Sequence, residues 1–181
     1  MATTIRPMIM KAHRAAVGLR GASGRQVQAA LKALAELLET AEGPLLRANA
    51  LDIAKLDPDD PRRDRLLLNG PRIAAIAASI RKVSRLPDPS GRLLERRVLA
   101  NGLRVEKRAV PLGVVGAIYE SRPNVTYDIA ALCLRSRNGC LLKGSQEAAE
   151  TNRVGIGLIR KALKAGGCRR TVWCCCRRSG R

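Results

Sequence analysis

Two short polar turns carry the residues of this 181-residue chain with chemistry to offer. The first, Glu120-Ser121-Arg122-Pro123-Asn124, follows the apolar run 113–118, and the second, Lys143-Gly144-Ser145, follows the run 140–142. An amphipathic segment, 125–136, lies between them. Continuous small and β-branched residues suit parallel strands buried on both faces, and parallel strands need a crossover of about this length. A β-α-β unit is therefore expected, with its first turn where such folds bind ligands, at the carboxyl end of a strand. On residue type alone, Asn124 after a proline suits the cap of a helix over 125–136. Lys143 reads as a charged strand end, and Gly144 permits close backbone approach.

Other chemistries are poorly served. Cys133 falls on the apolar face of the crossover helix and Cys140 opens a strand, so both are expected to be inert core thiols. Four of the six cysteines lie in the final segment C-R-R-T-V-W-C-C-C-R-R-S-G-R. Three of these are adjacent and cannot converge on a tetrahedral metal as spaced pairs do, so no metal site is expected. A disulfide framework is not expected without a secretory signal. His13, the sole histidine, has only Lys11 and Arg14 beside it, and no Ser-His-Asp arrangement is available. Gly155-x-Gly157 sits in a helical pattern and not in a strand-to-helix turn, so it is no dinucleotide fingerprint.

The elements that position the two turns begin with helices. Val27, Ala30, Leu31, Leu34, Leu37 and Leu38 recur at helical spacing over 25–40, with Ser23 or Gly24 to cap the start. Gly43-Pro44 ends that pattern, a second helix is expected over 45–56, and a third over 71–84 with Pro71 in its first turn. Runs 93–99 and 103–110 have strand character and are joined by Ala100-Asn101-Gly102. Asn-Gly predicts a type I′ hairpin turn, in which both residues take positive φ.

Composition bounds the class. The chain is 46% hydrophobic but has no Phe, two Tyr and one Trp, so its core must be Leu, Ala, Val and Ile, as in a helix-rich α/β domain. No run approaches the roughly 18 apolar residues of a membrane span, and residues 1–10 lack a signal peptide's apolar core. A cytoplasmic location, with no membrane partner, is the resulting expectation. The formal charge of +19 invites a nucleic-acid reading. The 26 Arg and 8 Lys are scattered, however, without an aromatic platform, and no nucleic-acid partner is expected. A stand-alone basic protein contacting a partner or nucleic acid is the alternative reading.

The phrase R-V-E-K-R-A-V-P-L-G-V-V-G-A-I-Y-E-S-R-P-N-V-T, over 104–126, resembles the signature of the gamma-glutamyl phosphate reductases. These are the glutamate-5-semialdehyde dehydrogenases of proline biosynthesis, in the aldehyde dehydrogenase superfamily. Weaker likeness runs over 11–166, including A-N-A-L-D-I-A at 48–54 and D-R-L-L-L at 64–68. The resemblance implies an α/β fold: N-terminal helices, a β-hairpin and a partial Rossmann-like parallel sheet of the cofactor domain. It implies NADPH-dependent reduction of L-glutamyl 5-phosphate to L-glutamate 5-semialdehyde and phosphate. Asn124 then takes the place of the side chain that stabilises the oxyanion, and Lys143, Gly144 and Ser145 those that hold the cofactor. Lys143 reaches the adenosine ribose or a 2′-phosphate, and the uncharged Ser145 and Gln146 leave room for that phosphate, so NADPH is expected over NADH. The hairpin 93–110 implies homo-oligomer contacts.

The resemblance also places the nucleophilic cysteine beyond this chain, so that the chain by itself is expected to be inactive. Residues 1–167 then form a partial NADP-binding domain. Residues 168–181 are unlike the family and are expected to be an unrelated, disordered tail. W-C-C-C can be encoded by codons that, one base earlier, read as a Val-Leu-Leu run, so a frameshift near Gly167 is expected.

Overall fold

A computed structural model describes residues 6–168 and 172–174. Five helices come first: α1 (Arg6–Arg20), α2 (Gly24–Thr40), α3 (Glu42–Ile53), the short α4 (Arg62–Leu66) and α5 (Gly70–Arg85). Strands β1 (Leu93–Val98) and β2 (Arg104–Arg108) follow, then β3 (Val114–Ile118), α6 (Pro123–Arg135), β4 (Gly139–Lys143), a single 3₁₀ turn, α7 (Ala149–Ala165) and β5 (Val172–Cys174). The expected helix-rich α/β class and the β-α-β unit are both present.

Local chemistry accounts for the helix boundaries. Ser23 caps α2 with a capping box, its hydroxyl accepting from the Gln26 backbone while the Gln26 side chain accepts from the Ser23 N–H. Asn69 caps α5, its carbonyl accepting from the Arg72 N–H, with Pro71 in the first turn. The apolar faces of α2, α5, α6 and α7 meet in one core around Leu31, Leu34, Ile73, Tyr127, Ile159 and Leu163. Each such side chain, removed from water, contributes about 1.5–3 kcal/mol.

The sheet has the order β3-β4-β5, all parallel. One face of β4 is fully buried, with Cys140 and Leu142, while Leu141 on the other is half-buried and Lys143 is exposed. The expected burial on both faces fails more clearly for β3, which pairs only with β4 among the described strands and leaves Ile118 85% exposed. Asn138 fixes where the strands start: its side-chain carbonyl accepts from the Gly113 N–H at 2.8 Å, and the Gly139 N–H donates to the Gly113 carbonyl at 2.8 Å.

The expected hairpin turn is corrected. The hairpin does not close with a type I′ turn, because among the described residues only Arg137 takes positive φ without being glycine. The Gly102 N–H donates to the Leu99 carbonyl and Gly102 alone has positive φ, 81°, with the Leu99 N–H donating to the Leu103 carbonyl. This is a three-residue connection with the glycine in the left-handed position, which accommodates Ala100 ahead of Asn-Gly. Within the tail 168–181, Val172, Trp173 and Cys174 form β5 and pair with Cys140, Leu141 and Leu142. The rest of that tail, 169–171 and 175–181, lies outside the described residues.

Both strands of the hairpin are exposed along their length, apart from the half-buried Val105. It is held by its own register and by Glu106, which accepts from Arg96 and Arg108 at 2.9 and 2.8 Å.

Candidate functional site

Parallel pairing decides what meets at the carboxyl edge of the sheet. Ile118 is in register with Lys143, and the Tyr119 N–H donates to the Lys143 carbonyl at 3.1 Å, so the turn after β3 lies beside the turn after β4. A side-chain contact joins them, Ser121 Oγ to Ser145 Oγ at 2.7 Å. Ser121 also donates to Glu147 Oε2 at 3.4 Å, and Arg62 Nη1 donates to Glu147 Oε1 at 3.1 Å. The Glu147 carboxyl is held below its usual range by its own backbone N–H, by the Ser145 hydroxyl, by the Arg62 charge and by Ser121, against the opposing effect of burial.

Asn124 is not a helix cap. The residue before a proline is driven to extended backbone, and Arg122 takes φ −119° and ψ 102° as the residue preceding α6. Pro123 then opens the helix where its missing N–H costs least. Asn124 therefore lies inside the first turn, exposed, with Nδ2 3.3 Å from Asp128 Oδ2 one turn on. Its carboxamide lines a cavity of about 540 Å³ together with Arg65, Leu68, Ile76, Arg122 and Asp128.

A second cavity, of about 290 Å³, is lined by Arg62, Arg65, Glu120, Ser121, Arg122, Ser145 and Glu147. Of the residues expected to hold a cofactor, Ser145 is here. Lys143 is exposed at the end of β4 and lines neither cavity. Gly144 is buried, and the space a Cβ there would fill is taken by the fold itself, with Asn152 Nδ2 at 2.5 Å and Tyr119 Cε2 at 3.1 Å. Its small size thus serves packing within the protein.

Residues outside the two turns support them. Asn49 Nδ2 donates to the Leu66 carbonyl at 2.8 Å and its oxygen accepts from the Leu68 N–H at 2.7 Å, which fixes the segment after α4. Asp52 is fully buried and accepts from the Glu150 and Thr151 N–H groups at 3.2 and 2.7 Å. It caps α7 from another helix, since Ala148, the residue preceding α7, offers no side-chain oxygen. Both belong to A-N-A-L-D-I-A, whose polar residues on an apolar helix were the signal for such a role. Cys133, Cys140 and Cys168 are buried away from both cavities. No helix among the described residues is long and apolar enough to cross a membrane.

A parallel sheet flanked by helices, with its polar turns gathered at the carboxyl edge, defines an aldehyde-dehydrogenase-like α/β fold. A probable aldehyde dehydrogenase from Listeria monocytogenes has that fold, with a TM-score of 0.72 over 94% of this chain and 36% of its own, at 17% identity. No family model matches the chain. Closer likeness is to proteins named gamma-glutamyl phosphate reductase. The protein from Chlorobium phaeobacteroides is 45% identical over 163 residues, which are 90% of this chain and 39% of that one. The one from Phocaeicola vulgatus is 50% identical over 133 residues, 74% of this chain and 32% of that one. The crystal structure of the Thermotoga maritima protein of that name is 34% identical with a TM-score of 0.90, covering 95% of this chain and 42% of its own. The chain is thus similar to proteins named gamma-glutamyl phosphate reductase and spans about two fifths of the length of the curated relatives it matches.

Proposed function

We propose that this chain supplies the oxyanion donor and part of the cofactor cradle for NADPH-dependent reduction of L-glutamyl 5-phosphate to L-glutamate 5-semialdehyde and phosphate. The observation that carries this reading is Asn124, whose carboxamide caps nothing and lies in the wall of a cavity at the carboxyl edge of β3. The reaction needs a thiolate, which the family resemblance assigns to a part of the enzyme beyond this chain. Attack on the acyl phosphate forms a carbon–sulfur bond, breaks the carbon–oxygen bond to phosphate and raises negative charge on the acyl oxygen. The Asn124 amide is the group here that can donate to that oxygen, and one such donor stabilises the transition state by about 3–4 kcal/mol in a dry site.

A nicotinamide cofactor fits the neighbouring edge on two observations. The ammonium of Lys143 makes no ion pair among the described residues, and Ser121 and Ser145, in the two turns at the same sheet edge, line the smaller cavity. Lys143 and Ser145 would hold it, with the buried Gly144 fixing the turn between them. When bound, it supplies the hydride that converts the thioester to the aldehyde and frees the thiolate. Lys143 favours a 2′-phosphate, and the Glu147 carboxylate is already engaged by Arg62 and the two serines. The hairpin, exposed on both strands, is offered to a second copy of the full-length enzyme. Part of the basic charge on which the alternative of a basic binding protein rests is neutralised within the fold, since Arg81, Arg96, Arg108 and Arg137 are committed to carboxylates.

The test is a chimera in which residues 1–166 replace the matching segment of the Chlorobium phaeobacteroides relative. Asn124→Ala should lower kcat about a hundredfold and leave the KM for NADPH unchanged. Lys143→Ala should raise the KM for NADPH, and more than that for NADH. If both substitutions act on cofactor affinity alone, Asn124 has no part in the chemistry.

A further inference from the structure

Two arginines stand in the wall between the two cavities with their charge uncommitted. Arg65, from α4, and Arg122, ahead of α6, line both cavities. The Arg122 guanidinium is exposed and makes no hydrogen bond or ion pair with any described residue, although its backbone bonds to Glu120 and Val125. Among the described residues Arg65 reaches only Glu120, at 4.0 Å, between side chains that are 57% and 81% exposed, a pairing worth little in solvent. Their neighbours differ. Arg62 is spent on Asp60 and Glu147, and Arg72 on the Asp64 carboxylate and the Asp64 and Leu67 carbonyls. Arg63 donates to the Ile53 and Leu56 carbonyls, so the positive charge around α4 is divided into three guanidiniums that build structure and two that face open space.

That space is built for an anion of limited size. Its floor is apolar, from Leu68, Ile76 and Pro123, and Asn124 lies in the same lining. The acid that opposes the arginines is Asp128, whose two oxygens accept from Ser79 at 3.5 Å and Asn124 at 3.3 Å. Asp64, the other acid in the lining, is paired with Arg72 at 2.8 Å. A volume of about 540 Å³ falls within the roughly 300–1,000 Å³ of small-molecule sites.

We propose that Arg122 and Arg65 form an anion site that seats the phosphoryl group of an acyl phosphate beside Asn124, and that binds free phosphate by the same contacts. This rests on the reading of the Asn124 turn as the place of reaction. A planar guanidinium meets two phosphate oxygens at once, which a lysine cannot do. The charge at this wall also has a consequence for rate. As the acyl carbon–oxygen bond breaks, the bonding pair passes to the departing phosphate, and guanidiniums already in contact stabilise the charge that develops there.

The experiment uses the chain itself, isotopically labelled for NMR and titrated with inorganic phosphate at constant ionic strength. The Nε–H signals of Arg65 and Arg122 and the side-chain amide of Asn124 should move together. Arg122→Gln should weaken that binding at least tenfold, Arg122→Lys should recover part of it, and Arg104→Gln on the hairpin should change nothing. Shifts spread over the arginines, with Arg122→Gln and Arg104→Gln equivalent, overturn the proposal. A parallel titration with NADP+ separates it from the reading it rests on. Movement of Lys143 and Ser145 without any phosphate response at Arg122 removes the anion site and leaves the cofactor reading standing. A phosphate response at Arg122 with Lys143 and Ser145 unmoved supports the anion site and removes that cofactor reading.

Discussion

Ser121 Oγ lies 2.7 Å from Ser145 Oγ, and this contact locks the turn after β3 to the turn after β4. The two serines also reach Glu147, whose carboxyl is held below its usual range first by its own backbone N–H and then by Ser145. A depressed folded pKa means that the charged form is favoured in the native state. The associated stability is present above the unfolded pKa and is lost as pH falls through the folded one. Ser145→Ala should therefore raise the Glu147 pKa, by more than Ser121→Ala does, and shift the acid limb of stability upward in pH. Carbon-detected NMR titration of the Glu147 carboxyl checks this, and an unchanged titration in Ser145→Ala refutes it.

Gly155 and Gly157 sit two residues apart in α7 and should respond to alanine with opposite signs. A Cβ on Gly155 would stand 2.5 Å from Tyr127 Oη and 2.9 Å from Cζ, whereas Gly157 has nothing within 4 Å. Tyr127 is 1% exposed and cannot step aside. Gly155→Ala should cost about 1–3 kcal/mol through overpacking, and Gly157→Ala should gain about 0.5–1 kcal/mol from helix propensity. The Tyr127 hydroxyl has no hydrogen-bond partner among the described residues, so Tyr127→Phe should be neutral or stabilising and should recover part of the Gly155→Ala loss. Urea denaturation of the four variants measures all of this.

These two glycines show where the sequence stopped being legible. Periodicity marked α2, α5 and α6 because each buries one face, and the β-α-β unit was visible as two apolar runs around an amphipathic one. Which glycine faces Tyr127 depends on how α6 crosses α7, and no local pattern carries that. The Asn124 cap was misplaced because the helix starts at Pro123, two residues earlier than the expected start at Val125. The Asn101-Gly102 turn failed on a single inserted residue, Ala100. Arg65 and Arg122 were hidden by number, among 26 arginines whose partners only the fold selects. β5 was hidden by three residues whose partner strand lies 32 residues earlier in register.

Asn49 bridges two backbone groups that no other side chain reaches, the Leu66 carbonyl and the Leu68 N–H, and is 1% exposed. Asn49→Ala should leave both unsatisfied and cost about 1–3 kcal/mol. Asn49→Asp keeps the acceptor for Leu68 but loses the donor, and it places a carboxylate against the Leu66 carbonyl. It should be at least as damaging at neutral pH and improve as the carboxyl is protonated. Equal stability of Asn49→Asp at pH 4 and pH 8 would sink this account of the contact.

The purified chain should show no NADPH-dependent reduction of L-glutamyl 5-phosphate and no reverse oxidation of the semialdehyde. A nucleophilic cysteine must be accessible and easily ionised. The Cys140 thiol is fully buried and is pushed up by its hydrogen bond with Cys133 and by burial, and burial also pushes up Cys168. The Cys133 thiol is held down by that same hydrogen bond, against burial, but it lies under the same cover, 7% exposed, and is not accessible. In a variant with Cys174, Cys175 and Cys176 changed to Ser, these three thiols should react with a disulfide reagent only as fast as the protein unfolds. Turnover by the chain that disappears on Cys133→Ser or Cys140→Ser would make one of them the nucleophile, and would move the reaction from the carboxyl edge of the sheet to the interface of α6 and β4.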